Sequence, residues 1–502
     1  MLFELDGAGP RYAQITRALL SQIHAGLLPP GARVPGTREL ASELACSRNV
    51  VLLAYEQLAL EGYLVGRSKA GTFVSSDLPH LSGVHPKTQG GPPRPMSLTA
   101  RGRALADLSA EARPIITGAK GLAINFMYGT CAPDDHLVSR LRASLASAIR
   151  AQAFGYIDPA GDAGLREQVS DRLRGARGIV RSPQQIIITT GTQQALDICA
   201  HLLVGKGDGV VVEDPGYSAA RALFAAAGGT LIPVPVDRHG LDPAALPGER
   251  RAVRVIYVTP SHQFPTGAVM SASRRYSLLA WAKQRGACII EDDYDGELRY
   301  IGRPIKALAA LDDADHVIYC STVSKSLFPS LRLGYLALPE WLTADAIAAK
   351  WLSDLGGSAL IQQAVCDLMA TGEYDRHISR MRRRYSARRE TLTRELRLHL
   401  RSEIDIEGAG AGLHLVVWMP NLTPAHVEAL VAACERRGIG VYSIARHALT
   451  PLRRAGVMLG YGLLDEGQIR EGIRGLAAAY WEVCRAASSR SRRSSGQHSV
   501  RC

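Results

Sequence analysis

The sequence predicts a multidomain chain. It has a small helical unit with a two-stranded β wing, a linker, and a large α/β part with a mainly parallel sheet and a smaller α+β part. Three observations predict this. The chain has 502 residues, more than one hydrophobic core supports. Residues 10–75 read as helices followed by two short strands, after which Pro and Gly accumulate. From about residue 150, short Val/Ile-rich runs alternate with helical patterns. The expected boundaries are 1–75 for the first unit, 76–115 for the linker and 116–484 for the α/β part. Within that part the large portion should span about 150–345 and the smaller about 346–484, with 485–502 a disordered basic tail.

A composition of 46% hydrophobic and 21% charged residues excludes a wholly disordered or collagen-like chain. No run of about 18 apolar residues occurs, so no membrane span is expected. The N-terminus MLFELDGAGPRY is not expected to be a secretory signal. Nine scattered cysteines without a C-x-x-C pair fit reduced thiols in a cytoplasmic protein, with no metal site. The net charge of +12 tempts a nucleic-acid reading, but its distribution matters more. Residues 1–76 carry only +1, whereas 374–401 carry +7 and 485–502 carry +5.

Within 10–75, Tyr12, Ile15, Leu19 and Ile23 recur at helical spacing, so 11–25 should be a helix. Pro29 and Pro30 follow its end. Thr37 suits an N-cap for a helix to Leu44, and Ser47 suits one for a helix bearing Val50, Val51, Ala54, Tyr55 and Leu58. Strand-like pieces 63–65 and 72–74 flank the loop from Gly66 to Gly71. Helix, short turn, helix and wing make a winged helix-turn-helix, whose second helix can enter a DNA major groove. Arg48 and Asn49 lie in the first turn of that helix, where side chains reach base edges. Arg38 suits a phosphate, Arg67 and Lys69 ride on the wing, and Gly71 permits close backbone approach. A small helical domain with solvated arginines is the plainer alternative.

Strand candidates follow at 185–190, 209–213, 253–258, 287–291, 316–320 and 333–338, each short and nearly continuous in apolar residues. Strands buried on both faces of a parallel sheet look this way. Residues 346–401 are helical in pattern, and 411–418 and 438–461 read as strands or loops of the smaller part. Ligands bind beyond the carboxyl ends of such strands. There the sequence places Gly191, Thr192 and Gln193, then Tyr217, then His262, Gln263 and Phe264. Asp292 and Tyr294 come next, then Thr322, Ser324 and Lys325, and last Arg332.

One chemistry unites these groups. Lys325 can form an imine with an aldehyde, and its attack is helped if burial near other cations lowers its pKa. Asp292 can pair with a protonated pyridine nitrogen, and Tyr217 can stack on a flat ring. A helix start after Gly191, hydroxyls and Arg332 can hold a phosphate. Together they describe a site for pyridoxal 5′-phosphate. Each feature alone also fits a solvated strand end or loop; the joint order, each time after a strand, is what points to a cofactor.

Residues 10–75 resemble the DNA-binding domain of GntR-type bacterial regulators, through Leu27, Pro29, Gly31, Arg33 and Pro35, Thr37 to Ala41, Ser47-Arg48, Ala54-Tyr55, Leu58, Glu61 to Tyr63 and Gly71 to Val74. Asn49-Val50-Val51 departs from the usual Thr-Thr-Val. Residues 120–484 resemble fold-type I aminotransferases, through Tyr156, Asp158-Pro159 and Gly161, Gly191 to Ala195, Asp214 to Tyr217, Thr259 to Gly267, Glu291 to Asp295 and Ser324 to Tyr335. The whole chain resembles the MocR subfamily of GntR-type regulators.

That resemblance implies Lys325 as the Schiff-base lysine, Asp292 as partner of the pyridine nitrogen and Tyr294 as partner of the ring hydroxyl. Tyr217 would stack on the ring, and Thr192, Gln193, Ser324, Arg332 and Thr322 would hold the phosphate. Phe264 stands where aminotransferases often carry Asn, so His262 or Gln263 would compensate. Met458-Leu459-Gly460-Tyr461 lacks the Arg that clamps a substrate carboxylate, and Arg446 is the substitute the sequence offers. The implied protein is a homodimeric transcription regulator of double-stranded promoter DNA that senses pyridoxal phosphate or a small amine or amino acid. The alternatives are a working aminotransferase with an accessory DNA-binding domain, and direct nucleic-acid binding by the Arg-rich helix and tail.

Overall fold

The computed structural model describes residues 4–78, 97–112, 121–151, 155–249, 251–302 and 305–495. The chain divides into two compact units between Ser97 and Leu98. The first contains α1 (Arg11–His24), α2 (Thr37–Glu43), α3 (Arg48–Leu60), β1 (Leu64–Arg67) and β2 (Gly71–Val74). Ile15, Leu19 and Ile23 from α1 bury against Leu40, Val51, Ala54, Leu58, Leu64 and Val74. The wing is antiparallel, from Leu64↔Val74 to Arg67↔Gly71. Caps differ from expectation. Gly36, not Thr37, precedes α2, and the Glu39 carboxylate accepts the Gly36 N–H at 3.2 Å. Ser47 does precede α3, but its side chain makes no capping bond.

The second unit opens with α4 (Ala100–Ala112), β3 (Ile124–Asn125), α5 (Asp135–Arg150), α6 (Ala163–Arg177), β4 (Ile186–Thr189) and α7 (Thr192–Leu203). Then come β5 (Gly209–Asp214), α8 (Ser218–Ala226), β6 (Thr230–Asp237), β7 (Gly240–Leu241), β8 (Val253–Val258), α9 (Ala272–Arg285) and β9 (Cys288–Asp293). After β10 (Val317–Thr322) and β11 (Gly334–Ala337) follow α10 (Glu340–Asp354), α11 (Ala359–Ala370) and α12 (Glu373–Leu400). The smaller part ends with β12 (Asp405–Glu407), β13 (His414–Trp418), α13 (Pro424–Glu435), β14 (Ile439–Gly440), β15 (Tyr442–Ser443), β16 (Gly456–Gly460) and α14 (Glu466–Ser495).

Eight strands form one sheet in the order β4-β11-β10-β9-β8-β5-β6-β7. β5, β6, β8, β9 and β10 are parallel; β11 runs opposite to both its neighbours, which leaves β4 aligned with the parallel set. Six strand ends therefore point to one side. Leu137, Leu165, Ile188, Val211 and Ile289 pack on one face, and Ile187, Leu196, Val212, Ile290 and Leu336 on the other. Burial on both faces explains the unbroken Val/Ile runs. The smaller antiparallel sheet, β12-β13-β16-β15, packs against α12, α13 and α14.

Three boundaries shift. Residues 100–112, read as linker, form α4; the linker stretches 79–96 and 113–115 lie outside the described residues. α14 continues to Ser495, into the stretch read as a disordered tail, and 496–502 lie outside the described residues. β3 pairs in parallel with β14, so the chain joins the smaller part before it enters the large one. Among the described residues, no helix is long and apolar enough to cross a membrane.

Candidate functional site

The ends of the sheet strands open on a cavity of about 300 Å³. Ten residues singled out from the sequence line it: Thr192, Gln193, Tyr217, Phe264, Asp292, Tyr294, Thr322, Ser324, Lys325 and Arg332. They arrive from separate strand ends, which is why the sequence scatters them.

Asp292, at the end of β9, is buried. Its Oδ2 accepts from the Tyr257 hydroxyl at 2.8 Å, while its Oδ1 is buried with no partner in the protein. Burial pushes its carboxyl up to about 7. An orphaned carboxylate oxygen in such a place calls for a cationic N–H donor. Lys325 extends into the cavity, and its Nζ donates to the Gly129 carbonyl at 2.5 Å. Burial lowers its pKa, opposed by Cys131 and by the carboxylates of Asp295 and Asp292. A nucleophilic amine benefits from that shift.

The phosphate-sized end is built from backbone as well as side chains. Gly191 has φ +95° at the start of α7, and a Cβ there would sit 3.2 Å from the Arg332 guanidinium. Arg332 itself has φ +51°. The free N–H groups of α7 and this guanidinium suit an anion. Thr322 Oγ1 lies 2.8 Å from the Leu333 carbonyl and 2.9 Å from Ser324 Oγ, so Thr322 is partly committed. The Tyr217 hydroxyl lies 3.4 Å from Gln193 Oε1. A cationic end, a flat aromatic wall, an orphaned carboxylate and a pKa-depressed amine fit pyridoxal 5′-phosphate.

Three predicted residues are placed differently. His262 sits behind the cavity wall, with Nδ1 2.7 Å from Asp295 Oδ2 and 3.1 Å from the Tyr294 hydroxyl. Burial would lower its pKa, but the Asp295 carboxylate raises it. Gln263 cannot reach the cavity: its amide holds Glu213, Pro215, Phe264 and Thr266. Arg446 is exposed on a short turn and does not line the cavity. Its neighbour His447 is buried instead, with Nε2 3.2 Å from the Tyr128 hydroxyl.

Sequence reasoning gave no role to Tyr128, Tyr257, Asp295, Leu413 and His414, all in the lining. Asp295 stands in the acidic run after β9, and the sequence offers it only as part of the motif. Tyr128 and His414 come from outside the sheet and left no local signal.

In the first unit, Arg38, Arg48 and Asn49 are exposed at the starts of α2 and α3, and Arg48 Nε donates to Thr37 Oγ1 at 3.3 Å. On the wing, Lys69 is exposed with φ +61°, and Arg67 lies over the Phe73 ring at 5.0 Å. Gly71 has φ +111°, and a Cβ there would meet the Arg33 guanidinium at 3.1 Å. Arg33, which the sequence offered only as part of the GntR resemblance, joins this basic surface. The Arg-rich α12 is different: Arg376 pairs with Glu373, Arg380 with Asp134 and Arg394 with Glu395, and Arg382 and Arg388 donate to carbonyls. Much of its charge is spent within the fold.

Comparison with known proteins finds relatives for both units. Residues 11–74 match bacterial regulatory proteins of the gntR family, and residues 122–445 match aminotransferase class I and II. The probable rhizopine catabolism regulatory protein MocR of Rhizobium meliloti is 34% identical over 487 residues, 96% of each chain. The pyridoxine biosynthesis transcriptional regulator PdxR of Corynebacterium glutamicum is 31% identical over 91% of this chain and 93% of that one. Among solved structures, the kynurenine aminotransferase of Pyrococcus horikoshii has a TM-score of 0.67 and 26% identity, over 77% of this chain and 95% of that one. The multiple substrate aminotransferase of Thermococcus profundus has a TM-score of 0.68 and 25% identity, over 78% and 97%.

Proposed function

Because this chain belongs to the MocR subfamily of GntR-type transcription regulators, we propose that it is a promoter-binding regulator controlled through pyridoxal 5′-phosphate held in its aminotransferase-like cavity. The observation that carries this reading is the convergence of Lys325, Asp292, Tyr217 and Arg332 on one cavity. When bound, the cofactor supplies an aldehyde for an amine and a ring that withdraws electrons. Arg332, Thr192, Gln193 and Ser324 would hold its phosphate. Tyr217 would cover the ring, and Asp292 would keep a proton on the ring nitrogen. Tyr294 would face the ring hydroxyl, backed by His262 and Asp295. Lys325 would give up its bond to the Gly129 carbonyl to engage the aldehyde.

On the DNA side, Arg48 and Asn49 would read bases while Arg38, Arg67 and Lys69 meet phosphates. An effector, whether the cofactor or an amine that joins it, must bind two arrangements of the protein with different affinity, or nothing switches. A cytoplasmic homodimer suits this role. Tyr156 (89% exposed), Trp351 (51%) and Leu352 (79%) leave apolar surface that a second copy can cover. The cofactor-side residues of the cavity also leave aminotransferase turnover as a second reading, although the carboxylate-clamping Arg is missing from it.

Absorbance of the cofactor-loaded protein tests the proposal. The wild type should show a lysine–cofactor band at about 410–430 nm. Lys325→Ala should lose it and lose the effect of cofactor on promoter affinity. A band that persists in the variant overturns the assignment. Sustained turnover of amino donors with keto acids would favour the enzyme reading.

A further inference from the structure

Next to Tyr217 and Tyr294, whose rings meet that of Phe264 at 5.8 and 5.9 Å, the cavity wall has a different character. Tyr128, Phe264, Leu413 and His414 line it, with His447 and Met458 packed behind. Phe264 is the hub: its ring meets those of Tyr128 at 5.9 Å, His414 at 5.6 Å and His447 at 4.9 Å. Met458, in β16, is fully buried.

The basic groups nearby are not placed to receive an anion. His414 Nε2 lies 3.0 Å from the Pro265 carbonyl, so it carries the proton and leaves Nδ1 as an acceptor. His447 Nε2 is engaged by the Tyr128 hydroxyl. Burial holds both imidazoles far below their usual range, at about 4 and about 3, so both are neutral near pH 7. The Arg221 guanidinium donates to the His447 carbonyl at 2.6 Å, and Arg446 is exposed. Among the described lining residues, the cations are Lys325 and Arg332, both on the side read as the cofactor's. A carboxylate brought to the aromatic wall would lose its water and meet ring faces and lone pairs. Burying an unpaired carboxylate is strongly unfavourable, whereas apolar carbon gains from the same wall.

We propose that the ligand sensed in this cavity is a primary amine with an uncharged, apolar or aromatic tail, and that α-amino acids are excluded. This rests on the cofactor reading above. The amine would lie toward Lys325 and the tail against Phe264 and Leu413. A hydroxyl on the tail would also be accepted, because His414 Nδ1 can receive a hydrogen bond.

Matched pairs that differ only by a carboxylate test this. The cofactor-loaded full chain is titrated by calorimetry with 2-phenylethylamine against L-phenylalanine, and isobutylamine against L-valine. The amine of each pair should bind at least about tenfold more tightly. Equal or tighter binding of the amino acid overturns the proposal. So does failure of all four to bind up to millimolar concentration while the lysine–cofactor band is present. Absence of that band before any amine is added instead overturns the cofactor reading, which keeps the two failures distinct. As a second check, His414→Gln should leave the ordering of each pair unchanged, because a neutral residue replaces a neutral one. An amine preference that widens tenfold or more in that variant would show that a charged His414 had been holding the carboxylate, and the proposal would fall.

Discussion

Replacing His262 with Gln probes the support behind the cavity wall. The His262 and Asp295 side chains are each 2% exposed, and their Nδ1 and Oδ2 atoms are 2.7 Å apart. Losing one partner of a buried pair strands the other charge, at a cost of about 3–5 kcal/mol. Asp295→Asn should cost a similar amount. The double variant should cost clearly less than the sum, because neither charge is left behind. Denaturant unfolding of the cofactor-free chain measures all three. The pH dependence has a definite sign. Asp295 raises the folded-state pKa of His262 although burial opposes it. The pair's contribution should therefore be fully present below about pH 6.5 and fade as pH rises through the folded-state value. Tyr294, His414, Arg299 and the Gly408 carbonyl also surround this ring. His414 and His447, with depressed values, act in the opposite direction and below about pH 6.5, which separates the effects. Costs that add to within about 0.5 kcal/mol, with an unchanged slope above pH 6.5, would refute the ion-pair account.

Other outcomes follow from single positions. Arg48→Ala should weaken promoter binding by about 1–3 kcal/mol at fixed salt, read by fluorescence anisotropy; unchanged affinity would mean another residue reads the groove. Gly161→Ala should lower unfolding free energy by about 1–3 kcal/mol, because its Cβ would lie 2.6 Å from Ile188 at φ +103°. Arg332→Lys should loosen the cofactor by roughly tenfold in equilibrium dialysis, since a point charge replaces a planar fork; equal retention would move the phosphate site elsewhere.

The sheet was legible where its strands were buried on both faces. The runs at 209–213 and 253–258 lie within the observed β5 and β8. β6 was missed because Pro233 and Pro235 argue against a strand. In the fold both prolines are exposed, and β6 has only the two-residue β7 on its outer side, where missing N–H groups cost little. α4 was hidden in a stretch of weak apolar period with most of its described side chains exposed. The cavity was legible where a motif follows a strand, as at Asp292 and Lys325. It was not legible at Tyr128 or His414, whose neighbours across the cavity are hundreds of residues away. Arg446 shows the opposite error. Its charge drew attention, but the turn Ile444–His447 leaves it exposed and buries the imidazole beside it.

The short path between β3 and the cavity has a mechanical consequence. Ile124 and Asn125 are stitched to Ile439 and Gly440, and Met127, Tyr128 and Gly129 border the cavity immediately afterwards. Upstream along the backbone lies α4, and before it the winged unit. A ligand that frees Gly129 from Lys325 would thus act on a segment only a few residues from the β3–β14 pairing, within the second unit.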